Sequence, residues 1–163
     1  MNTNFKYDDF EIDFKKPLGE VGFGAIYKAT EKKNGKIYAI KRIKDLNEEE
    51  IDNMLFMNEC ENSIKYYGYF KEENLFYIIM ELCDNNLEQT IKEKKLEIKE
   101  IKEILEQLNN VFKIMYDNAI IHRDIKPENI LIKKLENNKI LYKLTDYGLS
   151  KQLTQSHMAS KRM

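Results

Sequence analysis

The stretch Ile121-His122-Arg123-Asp124-Ile125-Lys126-Pro127-Glu128-Asn129-Ile130-Leu131-Ile132, with Asp146-Tyr147-Gly148 after a short hairpin, limits what this chain can become. Asp124 and Asn129 read as the two ends of one turn, and Asp146 follows beyond two apolar segments. Three oxygen-bearing side chains can converge in such an arrangement, which outlines a site for a hard cation and phosphate. The competing reading is a charged surface turn between a helix and a strand. The patterns upstream weigh against it.

Leu18-Gly19-Glu20-Val21-Gly22-Phe23-Gly24-Ala25-Ile26 gathers three of the six glycines of the chain. Glycines in a strand-rich context let backbone amides approach an anion without a Cβ in the way. Asn34-Gly35 is a strong hairpin signal, because both residues tolerate positive φ in a type I′ turn. It folds residues 24–31 back on 36–43. In the return strand Ala39 and Lys41 share a face, so a small side chain stands next to an ammonium group. Asn47-Glu48-Glu49-Glu50 then opens a helix that reads with Asn47 as cap, acidic residues in the first turn and Ile51, Met54 and Leu55 on one stripe. Residues 63–70 and 75–82 are β-rich runs about the polar turn Lys71-Glu72-Glu73-Asn74. A short helix is predicted from about Leu87 to Lys94 and a longer one from Ile98 to Asn118. The longer one carries Ile101, Ile104, Leu105, Leu108, Val111, Phe112 and Met115 at helical spacing.

In chain order these stretches resemble the eukaryotic protein kinase family of serine/threonine type. His122 to Asn129 resembles H-R-D-L-x-x-x-N. Asp146-Tyr147-Gly148 resembles D-F-G with Tyr in place of Phe, and Tyr38-Ala39-Ile40-Lys41 resembles V-A-I-K. In the glycine-rich pattern G-x-G-x-x-G-x-V, Gly19 is the first glycine, Gly24 the third, and Ile26 takes the valine place. Val21 stands where the second glycine belongs, with Gly22 one residue later.

The resemblance implies an α+β, protein-kinase-like fold: a small antiparallel β lobe with one helix, plus an incomplete, mainly helical large lobe. The lobes are expected at 1–83, ending in the hinge, and 84–163, holding the catalytic loop, the metal motif and the start of the activation segment. It implies ATP and Mg2+ as cofactors and a protein with a Ser or Thr acceptor as substrate. Asp124 would accept or orient the hydroxyl proton, Lys126 would neutralise the group in transfer, and Asn129 and Asp146 would ligate magnesium. Lys41 would hold phosphates, and a helix glutamate would hold Lys41 by an ion pair. Glu50 is chosen for that place, with Glu48, Glu49 and Glu59 as alternatives. Leu18, Gly19, Gly22, Gly24, Ile26, Ala39, Glu81, Cys83 and Leu131 would surround the nucleotide, Glu81 and Cys83 through backbone groups at a hinge behind which Met80 stands. His122 reads as loop support rather than as a base. The phenol of Tyr147 needs a partner if it is buried. Arg123 resembles the arginine that pairs with an activation-segment phosphate, with Thr154, Ser156 and Ser160 as candidate acceptors of it.

No A-P-E motif occurs between Leu149 and Met163, so the resemblance stops inside the activation segment and a fragment is expected. Two readings stand: a kinase carrying the full set of phosphate-handling residues, and a kinase-like module that binds nucleotide or a partner without transfer. A length of 163 residues suits one domain or a piece of a larger one. The 27 basic and 28 acidic residues leave a net charge of -1, so no global positive field recruits nucleic acid or an anionic membrane. Oligomeric state is left open. Cys60 and Cys83 lie in no metal-ligand spacing, which fits a reducing compartment. With no apolar run of about 18 residues, the chain is expected to be intracellular and cytoplasmic.

Overall fold

The computed structural model describes residues 5–21 and 24–152. Its contacts gather into two compact units, Met1–Asn47 with Lys65–Leu82, and Glu48–Ile64 with Cys83–Met163.

The first unit is an antiparallel sheet. Strands β1 (Phe10–Ile12), β2 (Gly19–Val21), β3 (Gly24–Glu31), β4 (Ile37–Ile43), β5 (Tyr66–Glu72) and β6 (Leu75–Glu81) pair in the order β1-β3-β4-β6-β5, with β2 also on β3. One face is an aromatic core in which Phe10, Ala29, Tyr38, Ile40, Phe70, Tyr77 and Ile79 are buried together. Phe5 and Tyr7 from the lead-in pack onto it, and Phe70 stacks on Tyr77 with ring centroids 4.9 Å apart.

The β3–β4 hairpin forms where Asn34-Gly35 predicted it, but not as a type I′ turn. Only Gly35 has positive φ, at 71°. The loop is longer, closed by Gly35 N–H on the Glu31 carbonyl at 2.8 Å, while Asn34 Oδ1 accepts from the Lys36 amide at 2.8 Å. The side chain of Asn34 does locally what a second left-handed residue would have done. β5 begins at Tyr66 rather than at Ser63, because the Ile64 amide bonds the Leu144 carbonyl at 2.9 Å, away from this sheet.

The second unit contains α1 (Glu48–Phe56), a 3-10 turn at Met57–Glu59, α2 (Leu87–Glu93), α3 (Ile98–Asp117) and, among the described residues, five short strands. Here β9 (Ile130–Lys134) and β10 (Ile140–Leu144) form a hairpin whose free edge takes β7 (Asn85–Asn86), and β8 (Ile120–Ile121) pairs with β11 (Lys151–Gln152). α2 is capped by Asn86, whose side chain accepts from the Gln89 amide. α1 buries Ile51 and Met54 of the stripe expected of it but exposes Leu55, and Glu50 and Asn53 face inward in its place. In α3 the inward stripe is Ile104, Leu108, Val111 and Met115, while Ile101 and Leu105 are exposed.

Polar side chains join α3 to β10. Gln107 Oε1 accepts from the Tyr142 amide at 2.9 Å and its Nε2 donates to the Ile140 carbonyl at 2.9 Å. Asn62 donates to both Gln107 and the Tyr142 carbonyl at 3.0 Å. These bonds fix the strand that leads into Asp146.

Candidate active site

In the first unit, strand register places Gly19, Ile26, Ala39 and Lys41 on one face. Gly19 pairs with Ile26, Ile26 with Lys41, and Lys41 with Ile78, so a row runs across β2, β3, β4 and β6. Side chains directly opposite share a face, and Ala39, opposite Met80, lies on it two residues from Lys41. This face is opposite to the aromatic core. Lys41 is only 8% exposed. Leu18, half exposed, leads into the row, its amide bonding the Ile26 carbonyl at 2.7 Å. Glu81 ends β6, with its amide on the Lys65 carbonyl and its carboxylate accepting from the Lys65 amide at 2.8 Å.

The described glycines of this loop differ. A Cβ on Gly19 would meet nothing within 4 Å, whereas one on Gly24 would come within 2.3 Å of the Arg42 carbonyl oxygen. Gly24 therefore lets β3 close on β4, a packing task, and Gly19 has no such constraint. Gly22 lies outside the described residues.

In the second unit, Pro127 opens a 3-10 turn, Pro127–Asn129, that brings Asn129 back onto Asp124. The buried Asn129 side chain donates to the Asp124 carbonyl at 2.9 Å and to Asp124 Oδ2 at 2.8 Å. Lys126 Nζ stands 2.9 Å from the same Oδ2. The Lys126 hydrogen bond, with that of Asn129 and the charge of Lys126 behind it, holds the Asp124 carboxyl below the usual range against some desolvation. Conversely, Asp124 pushes the Lys126 ammonium up. Both groups are thus charged near neutrality.

His122 is buried beneath them. Its Nε2 lies 3.0 Å from the Thr145 carbonyl and its Nδ1 accepts from the Asp124 amide at 3.3 Å. A carbonyl needs a donor and an amide needs an acceptor, so the neutral ring protonated on Nε2 satisfies both. Burial pushes its pKa down from 6.5, in accord with the neutral form.

Asp146 follows directly. Its backbone is left-handed, φ 63° and ψ 70°, a conformation Asp tolerates better than most residues. The preceding Thr145 amide bonds the Asn129 carbonyl at 3.0 Å, which ties the segment entering Asp146 to the residue that clasps Asp124. A Cβ on Gly148 would lie 3.3 Å from Glu50 Oε2 and 3.4 Å from Asp146 Oδ1, so both carboxylates border one point. Glu50 is buried, whereas Glu48, Glu49 and Glu59 are exposed. Leu131 pairs with Asn86 between β9 and β7, and Cys83 is half-buried just before β7. Arg123 Nε donates to the Leu149 carbonyl. Thr154, Ser156 and Ser160 lie outside the described residues.

Three residues that sequence reasoning passed over complete this cluster. Tyr147 is fully buried and finds its partner in Ser63, with the two hydroxyl oxygens 2.8 Å apart. Asn53 of α1 donates to Ser150 Oγ at 3.2 Å, and Ser150 Oγ donates to the Tyr147 carbonyl. The phenol at position 147 was the one available signal, since it demanded a partner. Nothing local named Ser63. The second unit thus offers a charged, anchored carboxylate at Asp124, an adjacent ammonium, an amide oxygen at Asn129 and a further carboxylate at Asp146.

Residues 12–163 match the family described as Protein kinase domain. The chain is 32% identical to calcium-dependent protein kinase 29 of Arabidopsis thaliana, over 85% of this chain and 28% of that protein. It is 37% identical to serine/threonine-protein kinase pakG of Dictyostelium discoideum, over 85% and 12%. With serine/threonine-protein kinase cst-1 of Caenorhabditis briggsae the identity is 36%, over 89% and 30%. The chain therefore spans less than a third of the length of these relatives.

Proposed function

Because the chain belongs to the protein kinase family, we propose that it transfers the terminal phosphoryl group of ATP to serine or threonine hydroxyls of a protein. The observation that carries this reading is Asp124, clasped by Asn129 and Lys126 at 2.8 and 2.9 Å.

A carboxylate held below its usual pKa is a weak base, so Asp124 acts first by orienting the acceptor hydroxyl and takes its proton as the bond to phosphorus forms. Lys126 sets an ammonium beside it, where negative charge spreads over the transferred oxygens. The donor set fits magnesium. Asn129 directs its amide hydrogens to Asp124, which leaves Oδ1 to offer, and Asp146 adds a carboxylate, both hard oxygen ligands. Among the described residues no group of three or more His, Cys, Asp and Glu side chains is gathered as for a metal ion. A cation that keeps waters and phosphate oxygens in its shell needs no such group. When bound, magnesium neutralises phosphate charge and fixes its orientation.

In the same proposal Lys41 pairs with phosphate oxygens. Leu18, Gly19, Gly24, Ile26, Ala39 and Leu131 supply apolar and backbone surroundings for the nucleotide, Glu81 and Cys83 offer main-chain groups to its base, and Glu50 is the helix carboxylate. Among the described residues no disulfide forms, and no helix is long and apolar enough to cross a membrane. We place the protein in the cytoplasm.

Two measurements test the reading. With ATP and magnesium at about a hundred times the dissociation constant, the unfolding free energy should rise by roughly 2.7 kcal/mol. Transfer of labelled phosphate to a Ser/Thr-containing protein should fall by about 100-fold or more in an Asp124→Asn variant that keeps that stabilisation. Equal transfer by the two chains would overturn the assignment.

A further inference from the structure

Asp146 sits between two residues that grip the same short turn. On its N-terminal side, Leu144 exchanges backbone hydrogen bonds with residues 62 and 64, its amide on the Asn62 carbonyl at 2.8 Å and its carbonyl accepting from Ile64 at 2.9 Å. On its C-terminal side, the Tyr147 hydroxyl meets Ser63 Oγ at 2.8 Å. The turn itself is fixed from below: Lys143 Nζ donates to the Glu61 carbonyl at 2.7 Å and to the Ser63 carbonyl at 3.1 Å, and Asn110 donates to Asn62 at 3.2 Å. Ser63 and Tyr147 are 1% and 0% exposed, so no bulk water stands in for either hydroxyl.

We propose that Ser63 is a positioning residue for the metal-binding step: by pairing with the buried Tyr147 phenol it holds the Asp146 turn from its far side. The inference rests on the assignment of Asp146 as a magnesium ligand. Its physical basis is the cost of an orphaned buried hydroxyl. With Ser63 replaced by Ala, the phenol has a donor and no acceptor, and the cheapest remedy is to carry Tyr147 toward water. Asp146 is covalently adjacent and moves with it. An apolar ring at position 147 feels no such pull, so the need for a hydroxyl at 63 exists only while 147 is tyrosine. Ser150 holds the Tyr147 carbonyl and Asn53 holds Ser150, but neither bond reaches the phenol, so they cannot replace Ser63.

The experiment compares the wild-type chain with Ser63→Ala, Ser63→Thr and the double variant Ser63→Ala with Tyr147→Phe. ATP affinity is measured by titration with and without magnesium, and amide hydrogen exchange at residues 146–149 is measured without nucleotide. The expected result is a loss of about tenfold in the magnesium-dependent part of ATP affinity for Ser63→Ala, with the magnesium-free part unchanged. Ser63→Thr, which keeps the hydroxyl, and the double variant, which no longer needs it, should return to within about twofold. Exchange should speed up only in Ser63→Ala. A variant that merely melts earlier, with magnesium dependence and exchange at 146–149 as in the wild type, overturns the proposal. Should the wild type show no magnesium-dependent affinity, the assignment of Asp146 fails. Exchange then decides the anchor alone, and protection unaltered by Ser63→Ala sinks that as well.

Discussion

Asn129 donates from one side-chain amide to both the carbonyl and the carboxylate of Asp124, at 2.9 and 2.8 Å. One side chain thereby sets the backbone and the functional group of the residue proposed to meet the acceptor hydroxyl. Replacing Asn129 by Ala removes both bonds and the amide oxygen. Phosphate transfer should fall by about 100-fold or more, and unfolding by denaturant should show a loss of about 1–3 kcal/mol from the bonds removed at this buried site. Unchanged nucleotide binding together with unchanged transfer would contradict the arrangement.

Lys126 supplies the largest influence lowering the Asp124 carboxyl. In a Lys126→Met variant that carboxyl should protonate at higher pH. The acid limb of the pH–rate profile should then move upward, with the variant losing activity first as the solution is acidified. The same displacement is readable as a carboxyl titration by NMR. A limb that stays in place would mean that Lys126 does not set the charge of Asp124.

His122 has its pKa pushed down by burial, so the folded protein binds its proton less readily than the unfolded chain. Stability is therefore lost as the pH falls through the unfolded value of about 6.5, and the loss levels off below the depressed folded value. Denaturant midpoints followed from about pH 7.5 to pH 5 should fall on the acid side, and His122→Asn should flatten that slope. Equal slopes in the two proteins would refute this.

The two loop glycines should separate cleanly. Gly24→Ala drives a methyl group into the Arg42 carbonyl, and thermal unfolding should show destabilisation of about 1–3 kcal/mol. Gly19→Ala meets open space and should leave stability within about 0.5 kcal/mol. Comparable losses at both positions would indicate that β3 and β4 are spaced differently from what the structure shows.

How far the sequence led depends on the distance over which each feature is written. Asp124 and Asn129 lie on one turn, so their spacing carried their nearness but not the bonds from Asn129 and Lys126 to the Asp124 carboxylate, and the alternation around Ala39 and Lys41 carried their shared face. The hairpin was placed by Asn34-Gly35 while its turn type was not, because the carboxamide of Asn34 competes locally for the Lys36 amide. The inward face of α1 is only partly legible, since Ile51 and Met54 are buried as their spacing implies while polar Asn53 joins them through Ser150, 97 positions away. The Ser63 and Tyr147 pair bridges 84 positions, and no local pattern encodes such a match. The Gln107 and Asn62 contacts were hidden for the same reason.

The cross-strand row Gly19, Ile26, Lys41 and Ile78 has a bearing on how the first unit assembles. Side chains alternate between faces, so sliding β4 by a single position against its neighbours would aim the Lys41 ammonium at the rings of Phe10, Phe70 and Tyr77. Stranding a charge among aromatic side chains is far costlier than losing a few contacts. A charge on one face of β4 and rings on the other therefore favour the observed register over a one-position slip, whatever the ligand.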